Sequence, residues 1–454
     1  MSLTKKLCWI ALSVAMVTLA LPVMACGREN GGSPGTPGAS AAVPGPTLTA
    51  EASDATGVTD TEIKIGTHFP LSQSPAAAWA PVAYGMRAFF NYINLQGGVY
   101  GRKITLIIGD DHYNPPDTVE VVKRLVEQDK VFAILAGLGE ATHNAVWKYL
   151  EEKGVPDMYV ASGLAKWTDP VVRTRFGGYP DYVTEGTVLG GYIAKTYDGK
   201  KLGLLLQNDE MGQDGERGLL AGIAGSNVEV VDKELYDVTQ SDVTAQTQRL
   251  KSAGAEVVAV YAIPPQAASL VKAARETLNW DVPIVVSGIN QSDIFVALAG
   301  AQNAEGVVSC VMGHQAYETE FPGIQTYEKI WAKTGTSGPL SNFAVYGMSM
   351  AEAMVWDLEM AGPNLTRGSF LDAAESMCNV YCSTCRGIGP WSTSPTDHRL
   401  NETEVINIVK DGKWVTVGDP VSYESSPNCT PATPPAGFED QPKVGEDSVY
   451  VDVP

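Results

Sequence analysis

ITLIIGDDHYNPPDTVEVVKRLVEQDKVFAILAGLGEAT, residues 104–142, places two short β-rich runs, 104–111 and 131–138, on either side of a stretch with apolar residues at helical spacing, 117–129. A strand, a helix and a strand in such quick succession form a crossover unit, which calls for parallel strands with the helix packed on one face of the sheet. The alternation extends outward on both sides. Glu62–Phe69 and 156–161 read as further strands, and 74–95 as a further helix. It then begins again: 202–207, 228–235, 257–263, 282–288 and 306–311 read as strands, with helices near 212–224, 243–253, 266–278 and 291–299. The predicted fold class is α/β, two doubly wound parallel-sheet lobes in series, joined near 173–181.

The last third departs from the alternation. Residues 343–361 predict a long helix with Tyr346, Met350, Ala353 and Met354 in one apolar stripe, and the strand-like runs 404–409 and 413–417 flank a hairpin signal, Asp411-Gly412. Late elements of this kind predict that the chain crosses between the lobes more than once. Several crossings make a hinge, with a ligand cleft at the strand carboxyl ends. The expected division is 60–178 plus 314–380 for one lobe and 179–313 plus 381–454 for the other.

Residues 1–25 read as an export leader: Lys5 and Lys6 precede an uncharged apolar run, 7–21, and small Ala25 stands before Cys26. This resembles the bacterial lipobox, in which the signal is cut before a cysteine that then carries lipid, although Met24 is less usual at its position. The alternative is an uncut membrane anchor, since the run approaches the ~20 residues that span a bilayer. Either places the rest of the chain outside the cytoplasm. Residues 26–59 are rich in Gly, Pro, Ser and Ala, too poor in apolar surface to offset the entropy of ordering, and are expected to be a tether.

The net charge of −20 argues against nucleic acid or anionic lipid as the main partner, and the 44% hydrophobic content suffices for a sizeable core. Beyond Cys8 and Cys26 there are five cysteines: Cys310, Cys378, Cys382, Cys385 and Cys429. In an exported chain disulfides are the default, so Cys378, Cys382, Cys385 and Cys429 are disulfide candidates, with Cys310, in a strand-like run, the expected free thiol. A metal site of Cys378, Cys382, Cys385 and His398 is the alternative, on a spacing that matches no standard zinc pattern.

No nucleophile elbow, zinc helix or phosphate-cradling loop occurs, and the five histidines are scattered without ligand spacing. Gly137-x-Gly139-x-x-Thr142 has only part of a dinucleotide fingerprint, equally explained by a tight strand-to-helix turn. Asp110-Asp111-His112 is a metal candidate whose alternative is capping of neighbouring loops. No enzyme activity, cofactor or metal is expected. The loops after the first-lobe strands, with Ser74, Glu140, Thr142 and Ser162, are small and polar and suit a carboxylate.

IKIGTHFPLS, AYGMRAFFNYINLQGGVYGRKI, LVEQDKVFAILAGLGEAT and LLLQNDEMGQDGERGL together resemble the type I periplasmic binding proteins, in the branched-chain amino-acid-binding (leucine-binding-protein-like) branch that serves ABC importers. The resemblance runs through about 60–360 and fades over 378–429. It implies a small-molecule ligand held between the lobes and handed to a membrane permease, by a chain expected to be a lipid-anchored monomer. A ligand-sensing receptor that reports to a membrane signalling partner is the alternative. Carried over by position, the first-lobe site is Glu140, Ala141 and Thr142 with Ala161, Ser162 and Gly163. The second-lobe site is Asn208 to Met211, Pro264 to Gln266 with Pro265 at its centre, and Gly288, Ile289 and Asn290, and Tyr346 closes one wall. Trp79 is added for its place near the start of the first cleft helix, with packing inside the first lobe as its other role. Asn290 stands where relatives carry an acid, and Met211 where an aromatic is typical. Both departures point from an α-amino acid towards a hydrophobic or aromatic carboxylate or a neutral amide, and Glu140 remains as a possible ammonium partner.

Overall fold

The computed structural model describes residues 53–334, 338–385, 387–423 and 429–441. The leader 1–25, Cys26, and the tether up to residue 52 lie outside the described residues.

Among the described residues thirteen strands build two sheets. In chain order they are β1 Glu62–Phe69, β2 Lys103–Asp110, β3 Ala133–Leu135, β4 Asp157–Val160, β5 Arg175–Gly177, β6 Lys201–Gln207, β7 Glu229–Tyr236, β8 Val257–Tyr261, β9 Ile284–Val286, β10 Val308–Val311, β11 Thr403–Lys410, β12 Lys413–Thr416 and β13 Val421–Ser422. The first sheet is all parallel, ordered β2-β1-β3-β4-β5. The second runs β12-β11-β10-β9-β8-β6-β7: β6 to β10 are parallel, β11 and β12 add antiparallel at the edge, and β13 pairs with β11. The two-lobe α/β architecture expected from the alternation is therefore present. Asp411 and Gly412 both take positive φ, 51° and 72°, which gives the two-residue hairpin between paired Lys410 and Lys413.

Several elements differ from the sequence reading, β9 among them, which is three residues, Ile284–Val286, rather than the expected 282–288. β3 is three residues rather than eight, because Ala136 adopts a positive φ of 49° and ends the ladder. β5 is an added strand inside the expected junction. The chain passes between the sheets after β5, after β10, and again before β11. Trp391 and Leu400 still belong to the first core, so the return to the second sheet begins at Thr403, later than the expected boundary at 381.

The helix Asn342–Ala361 runs against Ala80–Leu95 in the first lobe, burying Val345, Met348 and Met354 among Phe89, Phe90 and Ile93. Fully burying side chains of this size contributes roughly 1.5–3 kcal/mol each. The two backbones nearly touch: a Cβ on Gly347 would stand 2.0 Å from the Val82 carbonyl oxygen. In the second lobe Gly218 plays the same part, since a Cβ there would stand 2.3 Å from the Val183 carbonyl oxygen and part Tyr182–Thr196 from Glu210–Ile223. These contacts set where the first turn of each helix, and so its cleft-facing residues, can lie. Gly347→Ala is expected to lower stability by ~1–3 kcal/mol, the usual cost of overpacking, read as a lower urea midpoint at unchanged slope.

Candidate functional site

Where the three crossings meet the helix Asn342–Ala361, the chain encloses a cavity of about 70 Å³. That is several times the ~10–15 Å³ one water requires, so a small molecule can replace the solvent. From the first lobe, Trp79 ends a 3₁₀ turn whose start is capped by Ser74, its hydroxyl accepting the Ala76 N–H at 3.2 Å. Trp79 stacks on Phe343 at 4.7 Å between ring centroids, 21° from parallel. From the second lobe come Gly288, Ile289 and Gln291 and the segment 311–315, while Tyr179, Trp391 and Asn401 enter from the crossings. Tyr346 meets Tyr179 edge to face at 5.7 Å. Among the described residues no Asp, Glu, Lys or Arg lines the cavity, and His314 is its one imidazole. The Tyr346 hydroxyl and Asn342 Nδ2 are buried without hydrogen-bond partners, one donor-acceptor and one donor left for a guest.

Glu140 and Ser162 form a separate polar group at the strand ends. The Glu140 carboxylate accepts from Tyr182 Oη at 2.7 Å, Ser162 Oγ at 3.3 Å and Tyr113 Oη at 3.4 Å. Burial raises its pKa, against the lowering effect of the Tyr182 bond. Ser162 also accepts from Trp167 Nε1 at 3.0 Å, and the buried Thr142 hydroxyl donates to the Leu138 carbonyl. The hydroxyls expected to hold a ligand carboxylate are thus already committed, one of them to a carboxylate of the protein itself. Ala141 is exposed, Ala161 is buried with its N–H and carbonyl bonded to Gly137 and Gly139, and Gly163 lies under the Tyr182 ring, 2.6 Å from where a Cβ would be.

The second-lobe residues disperse. Asn208 is exposed and donates to Asp237 at 3.1 Å, and Pro265 is exposed in the first turn of Pro264–Lys272. Met211 is fully buried in the core between sheet and helices, so it packs where a cleft-facing side chain was expected. Asn290 points inward too: its Nδ2 donates to Ala262 O at 2.8 Å and to Ser287 Oγ at 2.9 Å, and it is Ile289 and Gln291 on either side that reach the cavity. Of the residues named from sequence, Trp79, Gly288, Ile289 and Tyr346 line the cavity, and Glu140 and Ser162 form the second group. Phe343, Tyr179, Gln291, Trp391 and Asn401 were missed, since irregular crossings carry no periodic pattern; only Phe343, three residues before Tyr346 and thus on its helix face, had a readable signal.

Two lobe-to-lobe contacts close the cleft mouth beside Glu140. Lys166 and Asn144 both reach Glu210, and the Ala165 N–H donates to Asp214 at 2.9 Å. Sulfur forms another wall. Cys382 pairs with Cys385 in the cavity lining, Cys378 pairs with Cys429, and Cys310 is a buried free thiol. His398 lies apart from them, stacked on Phe176 at 3.9 Å with Nδ1 against the Arg175 carbonyl. Gly137 serves a buried imidazole pair: a Cβ would meet His68 Nε2 at 2.5 Å and His143 Nδ1 at 2.8 Å. Asp111 binds His68 at 2.9 Å and Asp110 accepts from Leu71 N–H and Ser72 Oγ, both tying loops together.

The match to known proteins is broad. Residues 62–413 fit the model of a family described as periplasmic binding protein. An amino acid binding protein of Pseudomonas aeruginosa is 26% identical over 216 residues, 48% of this chain and 58% of that protein. A Leu/Ile/Val-binding protein homolog of Brucella abortus is 27% identical over 222 residues, with the same shares, so the matched region spans a little over half the length of these relatives. Among solved structures, a branched-chain amino acid ABC transporter protein of Thermus thermophilus with bound valine superposes with a TM-score of 0.71 at 20% identity, covering 80% of this chain and 97% of that one. A fatty acid ABC transporter substrate-binding protein of Thermomonospora curvata gives 0.71 at 22%, covering 84% and 97%.

The disulfide wall is held in place by Glu352, which is buried on the helix Asn342–Ala361 and accepts from the Ser383 N–H at 3.2 Å and Ser383 Oγ at 2.8 Å, and from Tyr327 Oη. Burial, partly offset by these bonds, raises its pKa from 4.5 to about 7. Because the folded state then holds its proton more tightly than the unfolded state, this contribution is complete below about 4.5 and fades as pH rises towards 7. Glu352→Gln is expected to remove ~3 kcal/mol of that decline, measured by urea unfolding at pH 4.5 and pH 7.5.

Proposed function

The chain belongs to the periplasmic binding protein family, and from that premise we propose that it is the extracytoplasmic, lipid-anchored substrate-binding subunit of an ABC importer, a non-enzymatic receptor that closes on a small ligand. The observation that carries the ligand assignment is the cavity between the lobes, walled by Trp79, Phe343, Tyr179 and Tyr346, with His314 the one ionisable nitrogen side chain and no carboxylate among the described lining residues. An ammonium buried there lacks an acidic partner in the described lining and would cost several kcal/mol, and a carboxylate would find only the His314 imidazole, which already lies 3.4 Å from Glu318 Oε1. An uncharged guest with a flat apolar body and an amide or hydroxyl group fits, stacking between the lobes while the unpartnered Tyr346 hydroxyl and Asn342 amide satisfy its polar end. Contacts of a guest with Ile289 and Gln291 of the second lobe would form as the cleft shuts, and such differential contact is what would shift the population to the closed state.

Glu140 favours a second reading. Its carboxyl, ringed by Tyr182, Tyr113 and Ser162, suits an ammonium, and the names of the Brucella relatives point to leucine, isoleucine and valine. Thermal shift separates the two. A neutral aromatic amide such as phenylacetamide is expected to raise the melting temperature more than leucine does, with Phe343→Ala and Trp79→Ala each weakening binding roughly tenfold, on the scale of a lost aromatic contact. A larger shift with leucine, lost in Glu140→Gln, would reverse the assignment. The anchor is tested separately: Cys26→Ala is expected to release the protein from membranes, and unchanged membrane retention would reject lipidation.

A further inference from the structure

Just beneath the cavity wall, one residue from each of the three crossings meets the other two. Glu185 stands four residues beyond Asp181 at the first crossing, Cys310 precedes Val311 at the second, and Glu404 opens β11 after the third. All three side chains are buried, at 0%, 0% and 2% exposure. One donor atom from each lies within 4.8 Å of the others, and Cys310 Sγ is 3.3 Å from Glu404 Oε1. Both oxygens of Glu185 and Oε2 of Glu404 have no hydrogen-bond partner. The Gly288 N–H and the Tyr261 hydroxyl soften the Glu185 charge without closing a well-formed bond, and Tyr261 donates instead to the Tyr182 carbonyl at 3.3 Å. Among the described residues, Arg399, a basic side chain of this region, is taken by Asp181, Asp397 and Glu402.

We propose that Glu185, Cys310 and Glu404 form a binding site for one divalent cation of the zinc class, which ties the three crossings of the hinge together. In a tetrahedral site with bonds of ~2.3 Å to sulfur and ~2.0 Å to oxygen, neighbouring donors stand roughly 3.3–3.6 Å apart. The Cys310–Glu404 edge already has that length, and Glu185 needs only a small shift to join. A thiolate among the donors selects zinc or cobalt over magnesium or calcium. The cation answers what the side chains leave open, since it gives the unpartnered carboxylate oxygens a ligand role and balances charge that the dry surroundings otherwise disfavour. Binding displaces the thiol proton and any carboxyl protons, so affinity rises with pH.

The test uses the full chain, stripped with a chelator and titrated with Co²⁺ alone. A thiolate-to-cobalt charge-transfer band that saturates at one equivalent is the expected result. The band should vanish in Cys310→Ser, and affinity should fall at least tenfold in Glu185→Gln and in Glu404→Gln. Should a variant fail to fold, X-ray absorption of the zinc-loaded wild type decides alone, with one sulfur and otherwise oxygen donors expected. Absence of the band, a zinc shell without sulfur, or cobalt uptake unchanged in all three folded variants, as binding at the part-buried His112, Asp110 and Asp117 would give, overturns the proposal.

Discussion

Everything in this molecule that resembles a site depends on one topological constraint: the chain must pass between two sheets three times, and irregular backbone has to be accommodated where it does. Crossing segments cannot continue either sheet's ladder, so their side chains fill the space between the lobes. Tyr179, Met312, Trp391 and Asn401 are there for that reason, and the cavity is what they leave unfilled against Trp79 and Phe343. Glycines at the helix pairs keep the arrangement tight. With Gly347 against Val82 and Gly218 against Val183, the helices that carry Phe343, Tyr346, Tyr182 and Glu185 have little room to slide.

Charge is distributed in an unusual way around this hinge. The protein is strongly acidic overall, at −20, yet among the described residues the cavity lining carries no carboxylate, and acids withdrawn from solvent lie around it: Glu140 at the cleft mouth, Glu352 behind the disulfide wall, Glu185 and Glu404 beneath. Burial pushes the pKa of each of the four upward, so the region binds protons more tightly than the unfolded chain does. A guest that entered the cavity would meet aromatic faces, amide and hydroxyl dipoles and the His314 imidazole.

How much of this was legible beforehand follows from which signals are local. The strands are, because alternation of short apolar runs with helical spacing requires no knowledge of the partner; β1 matches its sequence reading residue for residue, and Asp411-Gly412 marked a hairpin that both positive φ values realise. Strand length is not, since β3 is cut short by the backbone of Ala136. Site residues divide along the same line. Trp79 and Tyr346 sit on helices whose cleft-facing side is periodic. Position alone put Met211 and Asn290 at the ends of second-lobe strands, but the direction of each side chain is decided by packing: Met211 fills the core, and Asn290 turns back to bind Ala262 and Ser287. Thr142 and Ser162 have the right chemistry for an anion and have spent it on Leu138, Glu140 and Trp167. Competition of that kind is visible only once the chain is folded.

The central claim, that the inter-lobe cavity is a receptor site for a small uncharged aromatic or amide ligand, is tested most directly by mass spectrometry of the small molecules released when protein purified from its native membrane is denatured. The account predicts one uncharged, flat organic species in near-stoichiometric amount from the wild type and a sharply reduced amount from Phe343→Ala. Recovery of leucine, isoleucine or valine instead, undiminished in Phe343→Ala, would contradict it.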